Sequence, residues 1–249
     1  MKVSIITVCY NSEATIEATI KSVLAQSHSD IEYLVVDGAS TDNTLAIIEK
    51  YKSKISKLIS EKDSGMYYAI NKGIALASGD VIAILNSDDV YANQHVIANV
   101  VAEFVSTGAD SIYGDLQYVS RDNSDKIIRH WKSKPYCADL FFKGWMPPHP
   151  AFFVKRFCYE KFGCFNTGFK ISADYELMLR LLYKYKITTS YIPQVLVKMK
   201  TGGLSNVTIK SRLQANLEDR KAWKINELKA GSMTLIFKPL SKLRQFFNK

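Results

Sequence analysis

The stretch Val81-Ile82-Ala83-Ile84-Leu85-Asn86-Ser87-Asp88-Asp89, VIAILNSDD, decides how this 249-residue chain is read. Five apolar residues in unbroken succession describe a strand buried on both faces, as in a parallel sheet covered by helices. The run then stops at two adjacent carboxylates. Neighbouring like charges resist ionising together unless a cation or strong donors sit between them. Two readings follow: Asp88 or Asp89 caps a following helix, a favoured place for Asp, or the pair serves a divalent metal ion.

Outward from this stretch the same grammar repeats. Val3–Cys9 (VSIITVC), Glu32–Asp37 (EYLVVD) and Lys57–Ser60 (KLIS) read as further strands. Between them, helical spacing runs over residues 12–26 (Ala14, Ile16, Ile20, Val23, Leu24), 42–51 and 66–77. Strands alternating with helices imply βαβ crossovers and an α/β fold: a doubly wound, mostly parallel sheet with helices on both faces. Ligands of such sheets bind beyond the carboxyl ends of the strands. Here those ends read Asn11-Ser12, Asp37-Gly38, Glu61-Lys62-Asp63 and Asn86-Ser87-Asp88-Asp89. Capping alone does not account for three acidic ends on one edge.

The second half changes character. SIYGDLQYVS and KIIRHW, separated by polar residues 121–125, describe a hairpin. An aromatic, Pro-rich passage follows, Phe141–Phe153 (FFKGWMPPHPAFF). Ser172 reads as the N-cap of a helix over residues 173–185, with Leu177, Met178, Leu181 and Leu182 at helical spacing. A short strand at 189–192 precedes Pro193, and a polar helix spans about 206–230.

Composition is that of an ordinary globular protein, 47% hydrophobic and 23% charged. No apolar run approaches the roughly 18–20 residues of a membrane span. The opening MKVSIITVCYNSE reads as a first strand and not as a signal peptide. Cys9, Cys137, Cys158 and Cys164 form no C-x-x-C pair, so a reducing cytoplasm is expected. Of the formal charge of +9, residues 207–249 carry +7, from ten Lys/Arg against three Asp/Glu. A concentrated basic tail points to an anionic partner for that tail alone.

Five pieces together resemble family 2 of the inverting glycosyltransferases, which have the GT-A fold, and specifically bacterial members that build surface polysaccharides. They are SIITVCYNSEATIEATIKSVLAQS, YLVVDGASTDNT, EKDSGMYYAINKGIALASGDVIAILNSDD, HPAFF and ISADYELMLRLL, in the family's order over most of residues 1–200. The resemblance implies a transferase domain over 1–205, with a nucleotide-sugar half to about residue 110 and an acceptor-side half after it. Residues 206–249 then form a basic amphipathic helical segment.

The resemblance also implies roles. Asp37 would hydrogen-bond the uracil of a UDP-sugar, where its alternative is an Asp-Gly turn. Asp63 would face the base or ribose, its alternative being a helix cap. Asp88, with Asp89 beside it, would hold Mn²⁺ or Mg²⁺ bridging the donor diphosphate, as hard cations prefer carboxylate oxygens. Asn86 stands where many relatives carry Asp, and its amide adds no charge. Asp174 falls at the catalytic base of the family, which takes the acceptor hydroxyl's proton; alternatively it only complements a helix dipole. His149 would lie near the diphosphate or acceptor, its alternative being a loop residue. Apart from the resemblance, Trp145, Phe152 and Phe153 are aromatics for stacking on a sugar ring at the acceptor or diphosphate, or for packing in the core. Asn71 and Lys72 match donor-site positions, although Lys72 also reads as a surface charge. Tyr68 replaces a carboxylate common in relatives.

The closing MTLIFKPLSKLRQFFNK sets Leu240, Leu243, Phe246 and Phe247 against Lys238, Lys242, Arg244 and Lys249. Such a segment over 232–249 lies in an anionic membrane interface or docks on its own domain. The expected function is metal-dependent inverting transfer of a sugar to a glycan hydroxyl on a lipid carrier, at the cytoplasmic face of the membrane. Two rivals stand: a sugar-phosphate nucleotidyltransferase, disfavoured because residues 9–13 (CYNSE) lack glycine, and a non-catalytic nucleotide-sugar binding module. Nucleic acid is not an expected partner, because no reading motif accompanies the charge.

Overall fold

The computed structural model describes residues 1–121, 126–201 and 209–229. Among them nine strands form one sheet: β1 (Val3–Cys9), β2 (Ile31–Asp37), β3 (Lys57–Ser60), β4 (Val81–Ile84), β5 (Asp89–Tyr91), β6 (Ser111–Val119), β7 (Ile127–Trp131), β8 (Phe152–Lys155) and β9 (Thr189–Lys200). Their order is β3-β2-β1-β4-β8-β6-β9-β5, with β7 paired to the far half of β6. The first four are parallel, as successive βαβ units demand. β8 then runs antiparallel between β4 and β6, and β5 antiparallel to β9.

Helices α1 (Ile16–Leu24), α2 (Thr44–Glu49), α3 (Met66–Leu76), α4 (Val96–Thr107), α5 (Asp139–Phe142), α6 (Arg156–Phe162), α7 (Ala173–Met178) and α8 (Ile209–Ile225) cover the sheet. Side chains of a strand alternate between faces, and β1 shows the consequence. Ile6 and Val8 join a core with Tyr67, Ile70 and Ile74 of α3 and with residues of α7 and α8. Val3, Ile5 and Cys9 join a second core with Ile16, Ile20 and Val23 of α1 and with α4. The uninterrupted apolar runs are thus explained: both faces are buried. Helix α3 reaches β1 closely because residue 73 is glycine; a Cβ there would lie 2.4 Å from Ile6 Cγ2.

Several expectations are corrected in detail. The first helix starts at Ile16 and not at residue 12, because Ser12 is held by Thr44 (N–H to Oγ1, 2.7 Å) and Ser87 (Oγ···Oγ, 2.9 Å). The strand begun at Thr189 does not stop before Pro193. It continues to Lys200, and the register shift between Ile192 and Val195 leaves Pro193 and Gln194 in a bulge where no ladder bond is required. Helix α7 widens into a π-helix over Leu179–Lys184. Ser172 occupies the N-cap position without capping: its hydroxyl donates to the Ala215 carbonyl instead. The hairpin is present as β6–β7. Most of its polar loop (122–125), the start of the polar helix (206–208) and the amphipathic tail (232–249) lie outside the described residues. No described helix is long and apolar enough to cross a membrane.

Candidate active site

The parallel strands deliver their polar ends to one edge. In the register of the sheet Cys9 pairs with Asp37 and Ile6 with Ile84, so the ends of β2 and β4 flank that of β1. Two strand spacings, about 10 Å, separate them. Asp37 is fully buried. Its Oδ2 accepts from the Ser40 N–H (3.0 Å) and the Ser60 hydroxyl (2.7 Å), and its Oδ1 from the Ser40 hydroxyl. Asp37 therefore locks its own turn to the end of β3.

Asp63 does not cap α3, which is preceded by Gly65 and has no side-chain cap. Its Oδ1 accepts from Lys72 Nζ at 2.7 Å, and its buried Oδ2 has no partner among the described residues. Lys72 also meets Glu61 at 2.6 Å. Bonds to Asp63 first, then Glu61, hold its ammonium above the usual range. Lys72 is an ion-pair partner here and not a freely solvated charge. Asn71 commits both ends of its amide to the backbone of Phe165, donating at 2.8 Å and accepting at 2.9 Å.

No helix begins after the NSDD stretch until Val96, so neither Asp88 nor Asp89 is a cap. Asn86 and Asp89 close a turn: the Asp89 N–H donates to the Asn86 carbonyl (3.1 Å) and Asn86 Nδ2 to Asp89 Oδ2 (3.2 Å). Asp88 is left half-buried, while Asp89 is fully buried with Oδ1 lacking a partner among the described residues. Burial raises the carboxyl pKa of both, and the charge of Asp88 raises that of Asp89 further. Arg121 and Lys200 work the other way at Asp88. A half-open carboxylate beside an orphaned buried one fits a cation. No group of three His, Cys, Asp or Glu that could hold a metal occurs among the described residues, so protein ligands alone are few.

Asp174 is the second residue of α7 and half-buried. Across three strands Asp89 lies in register with Met199 and Met199 with Tyr118. The Tyr118 hydroxyl has its pKa raised, chiefly by burial, and the charges of both Asp89 and Asp174 add to that. Arg129 opposes them from 3.9 Å over the ring. Two acids far apart in sequence thus act on one hydroxyl. Asp174 also acts on His149, whose imidazole burial holds below its usual pKa while the carboxylate pulls it up. His149 lies 5.6 Å from the Phe165 ring, and Phe165 stacks on Tyr67 at 5.7 Å. Trp145 packs edge-on against Tyr113 at 6.0 Å, on the margin of the core.

Sequence reasoning missed Tyr118, Lys200, Arg121 and Tyr67. Tyr67 lay within the YYAINKG motif; the others lie at or just beyond strand ends whose neighbours come from distant segments.

A mostly parallel sheet of this order, continued by antiparallel strands and covered by helices, has the α/β architecture of the GT-A fold. Comparison with solved structures agrees. S. aureus TarS 1–349 in complex with UDP-GlcNAc superposes with a TM-score of 0.70 at 18% identity, over all of this chain and 72% of TarS. The mannosyltransferase PcManGT of Pyrobaculum calidifontis, in complex with GDP-Man and Mn²⁺, gives 0.67 at 18% identity over 98% of this chain and 69% of its own. The family model of glycosyl transferase family 2 matches residues 4–170, and the chain belongs to that family. An uncharacterized glycosyltransferase of Mycobacterium tuberculosis is 33% identical over 180 residues, 72% of this chain and 68% of the relative. A PGL/p-HBAD biosynthesis glycosyltransferase of Mycobacterium bovis BCG is 29% identical over 212 residues, 83% and 80% of the two chains. The protein is a glycosyltransferase, and the nucleotidyltransferase reading falls away.

Proposed function

We propose that this glycosyltransferase moves a sugar from a nucleotide diphosphate, UDP in the first instance, to a glycan hydroxyl with inversion at the anomeric carbon. Asp174 is the base. Its carboxylate takes the hydroxyl proton as that oxygen bonds to the anomeric carbon and the bond to the diphosphate oxygen breaks. The observation that carries this reading is the convergence on Tyr118, which lies in register with Asp89 across β9 and whose hydroxyl pKa, raised chiefly by burial, is raised further by the charges of both Asp89 and Asp174. It supports a base near the acidic strand end.

Asp88, backed by Asp89, would hold Mn²⁺ or Mg²⁺, with donor phosphate oxygens completing the ligand set that two carboxylates leave short. A bound divalent cation offsets negative charge gathering on the departing diphosphate. Asp63 would line the nucleotide end with its orphaned Oδ2, Asp37 would shape that end by locking its turn to β3, and Asn86 would offer its side-chain oxygen to the ribose. Lys72 and Asn71 act there through Asp63 and Phe165, which they hold. His149, kept neutral by burial, and Trp145 border the acceptor. UDP-GlcNAc in TarS and GDP-Man with Mn²⁺ in PcManGT support a nucleotide-sugar donor and a divalent ion. A lipid-linked glycan of surface polysaccharide biosynthesis fits the basic, amphipathic tail, which would hold the enzyme at the cytoplasmic membrane face.

A panel of nucleotide sugars, with and without Mn²⁺, scored for hydrolysis, tests the donor. In Asp174→Asn, turnover is expected to fall about 10²–10⁴-fold with nucleotide binding kept. Turnover near wild type removes Asp174 as base, and no turnover in the wild type with any donor returns the chain to a binding module.

A further inference from the structure

Helix α8 does more than cover the core. Its Glu218 carboxylate, 4% exposed, turns back onto the loop that leads into α7. It accepts the backbone N–H groups of Lys170 (3.1 Å), Ile171 (2.9 Å) and Ser172 (2.9 Å). Gln214, one turn earlier, donates to the same carboxylate at 3.0 Å. Burial would raise the pKa of Glu218, but these bonds outweigh it and leave the carboxyl below its usual range. From the opposite side the Tyr67 hydroxyl donates to the Ile171 carbonyl at 2.7 Å. Residues 170–172 are thus gripped from α3 and from α8 immediately before Asp174.

The docking of α8 also rests on other contacts. Trp223 is buried in the core and donates Nε1–H to the Tyr175 hydroxyl at 2.8 Å, and Asn226 donates to Glu176 at 3.0 Å. Burying a charge where an apolar side chain would pack is costly unless its bonds are all made. Here the bonds go to three successive amides of one loop, which fixes the path of the backbone and not merely the contact of two helices.

We infer that Glu218 is a positioning residue for Asp174, holding the entry to α7 so that the carboxylate meets the acceptor hydroxyl. The inference rests on Asp174 being the base. Proton transfer requires hydrogen-bond reach, and a misplacement of about 1 Å costs on the order of 10²-fold in rate. In Glu218→Gln one carboxylate oxygen becomes an NH₂ that cannot accept, so facing amides lose their acceptor while size and shape are kept.

The test compares full-length wild type, E218Q, E218A and D174N on the nucleotide sugar the wild type hydrolyses fastest. Binding of UDP with Mn²⁺ is measured by calorimetry, amide exchange over residues 165–175 by mass spectrometry, and Trp fluorescence reports core docking. In E218Q we expect kcat to fall at least about 10-fold, with donor KM and UDP affinity within about 3-fold. Exchange over 170–174 should quicken with fluorescence unchanged. Wild-type kcat in E218Q overturns the inference. So does an equal loss of kcat and UDP binding with shifted fluorescence, which marks a purely structural role. If E218A fails to fold, E218Q alone decides. An active D174N removes the base itself, whereas an inactive D174N beside a fully active E218Q removes only the positioning role.

Discussion

At the scale of single residues, the site is a set of carboxylates whose surroundings differ. Asp37 is saturated by serine donors, Asp89 is buried with an oxygen to spare, and Asp88 is half-open. Chemistry should follow that gradient. Mn²⁺ with UDP is expected to raise the melting temperature of the wild type, and Asp88→Asn to abolish the Mn²⁺-dependent part, as read by thermal denaturation with and without EDTA. His149 gives a second test. Burial depresses its pKa and Asp174 partly restores it, so its ring should titrate below about 6.5 by NMR and lower still in Asp174→Asn. The folded value being the lower one, the stability it contributes is present above the unfolded pKa and lost as pH falls through the folded pKa. An unchanged titration in the variant would mean that the two residues do not face each other.

At the scale of elements, two contacts set the packing of the parallel half. Gly73 lets α3 lie on Ile6 of β1. Gly73→Ala should cost about 1–3 kcal/mol by overpacking, measured by urea denaturation. Glu32, buried on β2, accepts from the Ser4 hydroxyl and from the Ser78 N–H and hydroxyl. Burial would raise its pKa, but those bonds lower it to about 2. The resulting stability is present above about 4.5 and lost as pH falls through the folded value. Glu32→Gln should therefore cost about 1–3 kcal/mol at pH 7 and progressively less in acid. The helices facing the sheet were legible because their apolar spacing is local. The bulge at Pro193 and the three-residue strand β5 were not, because each exists only through its pairing partner.

At the scale of the whole molecule, the sheet joins a parallel half that ends in acids to a mixed half that supplies Tyr118, Lys200 and the approach to Asp174. The basic tail extends the question to a surface beyond the protein. A chain ending at Gly231 is expected to stop sedimenting with anionic liposomes that capture the full-length protein, because each basic residue near such a surface contributes about 1 kcal/mol. Equal sedimentation of the two would return the tail to its own domain.

By itself the sequence determined the alternation of strands and helices, the two-faced burial of the central strands and the acidic ends of three of them. These follow from hydrophobic periodicity and from residue types at fixed local spacing. Only the tertiary structure decided that Asp37 locks a turn, that Asn71 serves Phe165, that Asp89 starts a strand, and that Glu218 holds the loop before Asp174. Each of those depends on which distant backbone amide or carboxylate arrives at bonding distance. That arrival is set by packing across the sheet, and no local pattern encodes it.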